Sequence, residues 1–401
     1  MAGSAGPAIA GAARGRVLRI VLSVAVLLPM TVLFGLVWRS ADEQTDFADS
    51  EHQGLRYLSA LLPVEIALID AQAAAVGGQP VPRENLNRAV DAAATTNVQL
   101  GKALRTEERW AEVRAKIEAL PDLRSASADD VFKAYTETTD LLLALIEKVR
   151  TTSNLVRDPD PDTFYLQDGA AQELPEGIAA AGQLADLAVI TASKPPAAQA
   201  DAVGDLLSMR SGLASNASDL ADGVRLAVDA TGSRTLGANL LTRLDRFRKV
   251  IDVLIPSTSL LQGRTVAVDV AQVTRTRTEV QTAAADLSQA MLREIGLLID
   301  SRVADVRGRL RLAGGTAVAG LLIVLALLGL EVIARRRPRI AAGSAPVPSP
   351  ERTDDASAPP PAPTGRHARP GPGFPPAEVA ALAADQELAQ LAHWERFGAS
   401  R

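Results

Sequence analysis

Between Asp158 and Asp162 the sequence alternates three aspartates with Pro159 and Pro161, and Phe164, Tyr165 and Leu166 follow at once. Carboxylates at alternate positions suggest oxygen ligation of calcium. The helix–loop–helix form of such a site requires Asp-x-Asp-x-Asp-Gly and a glutamate at position twelve. Counted from Asp158, position six is Thr163, position twelve is Gly169, and prolines hold positions two and four, so that chemistry is excluded. The same residues suit a helix corner. Asp160 takes the N-cap, Pro161 the first helical position where no N–H is needed, and Asp162 the positive helix end. On this reading Asp160→Ala costs about 1 kcal/mol of stability; contact with a ligand is the alternative.

No other stretch assembles a reactive constellation. The chain has no cysteine, which removes disulfides, thiolate nucleophiles and thiolate metal sites. It contains no G-x-S-x-G, no H-E-x-x-H and no phosphate-binding glycine loop. Its histidines are His52, His367 and His393, and His367 sits in "GRHARPGP", where no phospho-acceptor helix forms. No catalytic residue, cofactor or metal ligand is assigned, and no enzymatic activity is expected. Arg56, Glu65, Asp70 and Arg88 interrupt apolar stripes and are where a site between helices would draw its polar groups. The remaining carboxylates read as a solvated face.

The elements around these residues are helical. Apolar residues make up 47% of the chain but aromatics only 3%, so alanine and leucine carry the core and favour helix over sheet. A formal net charge of −5 gives no reason to expect nucleic acid. Residues 17–38 include "IVLSVAVLLPMTVLFGLVW", free of charge and long enough to span a bilayer. No small-x-small cleavage site follows Trp38, so an uncleaved anchor is expected. Residues 312–334 form the second span, closed by Arg335, Arg336, Arg337 and Arg339. Arg14, Arg16 and Arg19 before the first span and the arginines after the second place both termini in the cytoplasm and residues 39–311 outside the cytoplasmic membrane. Arg302, Arg307, Arg309 and Arg311 are out of place on the outer flank of span two. Within it, Gly315 and Ala319 form a small-xxx-small pair suited to close span packing.

Between the spans, breaks at Gly77–Pro82, Pro121–Asp130, Asp158–Asp162, Ser193–Pro196, Gly232 and Pro256 divide the chain into about seven helical pieces. The expected fold is all-α: an elongated bundle, as one option two four-helix modules stacked end to end.

Three blocks of this region resemble the extracytoplasmic helical-bundle sensor of bacterial methyl-accepting chemotaxis receptors and related histidine kinases. The first holds Phe47, Ala48, Glu51, Gly54, Tyr57 and Leu58; the second is "LGKALRTEERW", Leu100 to Trp110. The third holds Asn154, Leu155, Asp158, Pro159, Asp160, Phe164, Tyr165, Leu166, Leu174 and Pro175. The resemblance implies a sensor bundle that works as a homodimer. It stops at the membrane, since about 65 residues follow Ile333, too few for a kinase or a signalling coiled coil.

Residues 335–376 are basic and then rich in proline and serine, a composition that stays disordered. Residues 377–401 suit a short helix, with Trp394 and Phe397 as candidates for docking a cytoplasmic partner. The leading expectation is a two-span, sensor-like signal-transduction protein that acts through a cytoplasmic partner. The alternative is an envelope scaffold whose tail tethers one.

Overall fold

The computed structural model describes residues 8–120, 127–257 and 269–336. The proline-rich segment from residue 337 and the short helix expected at residues 377–401, with Trp394 and Phe397, lie outside them. Among the described residues the chain is all-α, without a strand. Its helices are α1 (Ala8–Val76), α2 (Arg83–Leu104), α3 (Glu107–Glu118), α4 (Ala128–Thr152) and α5 (Pro161–Asp168). A π-helical turn at Gly169–Glu173 leads into α6 (Leu174–Ser193), followed by α7 (Pro196–Ala230), α8 (Leu236–Ser257) and α9 (Val270–Arg336).

Local chemistry accounts for most boundaries. Gly78 adopts a φ of 68° after α1, the left-handed region that suits glycine. Ser127 caps α4 by accepting the Asp130 N–H at 3.2 Å, and Pro161 and Pro196 open α5 and α7, where no N–H is required. Pro175 follows the π-helical turn. It has no N–H to return to the preceding turn, and the Leu174 N–H bonds five residues back to the Gly169 carbonyl. One boundary has no glycine or proline to mark it. Arg105 ends α2 at a φ of 53°, adding a break inside the Leu100–Trp110 block.

The described helices pack around one continuous apolar core. Cross-links fix the level: Tyr57 meets Asn97, Gln72 meets Asp186, and Asn239 meets Glu294. The middle position belongs to α6, which packs on α1, α4, α7, α8 and α9. Its small residues permit the approach. A Cβ on Gly182 would lie 2.5 Å from Ile69 of α1.

Two helices are long and apolar enough to cross a membrane. Each contains an 18-residue stretch of mean hydropathy 2.3 with none of it buried, one in α1 and one in α9. Both run unbroken from the apolar stretch into the bundle, α1 for 69 residues and α9 for 67. The two stretches touch through Gly314 and Gly320. A Cβ there would lie 3.6 Å from Phe34 and 2.5 Å from Met30. Gly315 has nothing within 4 Å, so the pair expected at Gly315 and Ala319 is not the contact between the spans.

Candidate functional site

The polar groups of the bundle converge on Arg302 of α9. Its Nη2 donates to Glu51 Oε2 on α1, and its Nη1 donates to Asp158 Oδ1 at 2.7 Å and to Asp160 Oδ2 at 3.3 Å. Gln167 of α5 closes the network, donating to Glu51 Oε1 at 2.9 Å and to Asp158 Oδ2 at 3.0 Å. The Phe47 ring centroid lies 6.0 Å from the guanidinium carbon. The Glu51 and Asp158 side chains are fully shielded, and that of Arg302 is 17% exposed.

Two shielded carboxylates against one guanidinium leave an excess negative charge, which a low-dielectric interior does not tolerate. Burial, and then the hydrogen bond with Asp158, push the Glu51 carboxyl up to about 8, which favours its protonated form at neutral pH and relieves that excess. Burial alone would lower the Arg302 pKa, but Glu51, Asp158 and Asp160 outweigh it and hold it above the usual arginine value.

This arrangement corrects three sequence expectations. Asp160 does occupy the N-cap of α5, but its side chain makes no capping hydrogen bond. It turns instead to Arg302, and Asp158 Oδ1 braces the corner by accepting the Asp160 N–H at 2.8 Å. The 1 kcal/mol assigned to Asp160 as a cap therefore has no structural basis. The outer carboxylates are not all a solvated face, since Glu51, Glu65, Asp158 and Asp186 are buried. Arg302 is not a stray charge on the flank of span two; it is the counterion of the corner.

Residues of the first and third blocks of the receptor resemblance meet at this end of the bundle. Gly54 lies under the corner, where a Cβ would come within 2.2 Å of Ser153 Oγ and 3.0 Å of Leu155 Cδ1. Asn154 turns that corner with a φ of 66°. Tyr57 is buried, which pushes its hydroxyl up to about 12, and it donates to Asn97 Oδ1 at 2.8 Å. Thr106, from the second block, donates to the same Asn97 oxygen at 3.2 Å. Pro159 lies between the two corner aspartates, Tyr165 packs edge-on against Phe164 at 5.4 Å, and Pro175 is buried at the start of α6. Gly54→Ala is expected to lose about 1–3 kcal/mol by overpacking the corner. Thermal unfolding of the full chain in detergent measures it.

No family model, no curated protein and no solved structure matches the chain. The receptor resemblance therefore rests on these three blocks alone.

A second polar seam lies deeper, and the sequence reading missed most of it. Asp186 of α6 accepts from Gln72 of α1 at 3.1 Å and from Arg277 of α9 at 3.3 Å. Burial pushes its carboxyl up to about 7 in spite of Arg277 and Gln72. A lone aspartate inside the apolar run "IAAAGQLADLAVI" was the available signal. Glu65, which sequence did single out, shares the α1 face of Ile69 and Gln72. It is fully buried, and neither carboxylate oxygen has a hydrogen-bond partner among the described residues. Burial pushes its pKa well above the carboxylate range. Replacing Glu65 with leucine is expected to stabilise the chain by about 1–3 kcal/mol at neutral pH, because an unsatisfied polar group leaves the core. Urea denaturation of the two proteins gives the difference.

Arg56 is exposed and donates to Gln99 at 3.1 Å. Asp70 and Arg88 line a shallow groove between α1 and α2 that also takes in Gln289 of α9. Beside Arg302 a larger cleft of about 760 Å³ opens between the α4–α5 corner, the α7–α8 turn and α9.

Proposed function

We propose that the chain is a two-span, sensor-like signal-transduction protein of the cytoplasmic membrane, with both termini in the cytoplasm. The observation that carries this reading is the Arg302 cluster. It joins α1 and α9, the two helices that continue into the apolar stretches, to the α4–α5 corner. Glu51 lies thirteen residues beyond Trp38 and Arg302 ten before Leu312. At ~1.5 Å per residue the junction stands about 15–20 Å outside the apolar stretches. A stimulus that reshapes the bundle would reach both spans through it, with no hinge between. The receptor-like blocks support the same reading, since the first and third supply Glu51, Asp158 and Asp160 to this junction and the second joins the first through Asn97. By that resemblance the protein works as a homodimer. Its tail, with Trp394 and Phe397, would hand the signal to a cytoplasmic protein.

The absence of cysteine makes the test clean. Spin labels on cysteines introduced at Ser40 and Arg311 report the spacing of α1 and α9 in the full chain in nanodiscs. The sensor reading expects that a compound from a panel of amino acids, organic acids and amines shifts that distance distribution. A distribution indifferent to the whole panel would sink it. If deleting residues 337–401 then also displaced a cytoplasmic protein in cells, the scaffold reading would take its place.

A further inference from the structure

Three arginines of the outer flank of span two, Arg307, Arg309 and Arg311, still lack a role. Of these, Arg309 lines the cleft beside Arg302. It precedes Leu312 by three residues, about 4–5 Å at ~1.5 Å per residue. The headgroup layer of a bilayer leaflet is roughly 5–7 Å deep, so Arg309 stands within it. Asp305 lines the same cleft one helical turn farther out. Among the described residues neither forms an ion pair, with the other or elsewhere. The cleft thus presents a cation at phosphate depth and an anion just above it.

Its remaining walls suit the rest of such a group. Thr231, Ser233 and Ser301 supply hydroxyls. Leu297 and Val306 add apolar surface, and Leu312, 73% exposed, continues it along the outside of span two. The volume of about 760 Å³ falls within the ~300–1,000 Å³ of small-ligand clefts. Charge decides the class. Asp162, Glu294 and Asp305 line the cleft with one uncommitted guanidinium, because Arg302 is already held by three carboxylates. A purely anionic headgroup would meet excess negative charge. An ammonium with three N–H donors meets acceptors.

We propose that this cleft binds the headgroup of a phosphatidylethanolamine from the outer leaflet, Arg309 taking the phosphate and Asp305 the amine. This rests on α9 crossing the membrane with residues 39–311 outside, and is independent of the signalling reading. The test uses the full chain in dodecyl maltoside, titrated with dihexanoyl phosphatidylethanolamine, phosphatidylcholine or phosphatidylglycerol while the thermal midpoint is followed. Phosphatidylethanolamine is expected to raise the midpoint by a few degrees and to exceed the other two, since choline has no N–H and glycerol no positive charge. Each variant is compared with its own lipid-free midpoint. Arg309→Gln should weaken the response at least tenfold, and Asp305→Asn should erase the preference for ethanolamine over glycerol. Equal shifts from all three lipids, or an ethanolamine preference that survives Asp305→Asn, would overturn the assignment. A full shift from water-soluble O-phosphoethanolamine would assign the cleft to a soluble phosphoamine and overturn the lipid.

Discussion

Replacing Arg302 with alanine is expected to destabilise the folded chain by about 3–5 kcal/mol, the range for removing one partner of a buried ion pair. The reason lies in what remains. Glu51 and Asp158 stay shielded, with Gln167 and the Asp160 N–H as their remaining donors, and their charge has lost its counterion. The loss belongs to the orphaned carboxylates more than to the ion pair itself. Combining Arg302→Met with Glu51→Gln and Asp158→Asn should therefore recover a large part of it. Arg302→Lys keeps the charge but not the planar fork that reaches two helices at once, and should fall between. Urea denaturation of the full chain in micelles, followed by helical circular dichroism, measures all three. A loss below about 1 kcal/mol for the alanine variant, the scale of a surface pair, would show that the cluster does not hold the corner.

Raising the pH from 5 to 9 is expected to weaken the fold. Glu51 and Asp186 have folded-state values of about 8 and about 7, and Glu65 is shifted in the same direction. Each binds its proton more tightly folded than unfolded. Their contribution is complete below the ordinary carboxylate range and is lost as pH rises through the folded values. Between the two values the folded chain carries the proton and the unfolded chain does not. Stability then falls by up to about 1.4 kcal/mol per pH unit for each group. Midpoints recorded across this range for the wild type, Glu51→Gln and Glu65→Leu separate the contributions, because each variant should flatten part of the slope. A wild-type midpoint constant from pH 5 to 9 would refute the raised values of these three carboxyls.

The helices were legible in the sequence because their signals are local. Gly78, Pro161 and Pro196 mark turns through backbone chemistry, and a run of uncharged residues suffices for a span. Arg105 escaped because an arginine in the left-handed region leaves no trace in composition. The site was legible only in halves. The aspartates were visible as a corner and Arg302 as a misplaced charge, yet they are 144 residues apart, and Glu51 is 251 from Arg302. No spacing rule connects such residues. The buried state of Glu65 was foreshadowed by its position on an apolar stripe. That of Asp186 depends on Arg277, which reads as a surface residue until α9 is laid against α6.

The π-helical turn sets a phase. Gln167 and Asp186 both reach α1, one to Glu51 and the other to Gln72, and nineteen residues separate them. In an unbroken α-helix nineteen residues leave two side chains about 100° apart. The π turn absorbs one residue, and the eighteen that remain make about five whole turns, which returns both side chains to the same side. Deleting one residue between Gly169 and Glu173 would give a more regular helix and a worse protein, able to satisfy the Arg302 cluster or the Asp186 seam but not both together. The length of this segment is a vernier between two polar layers, and it constrains the count of residues there more tightly than their identity.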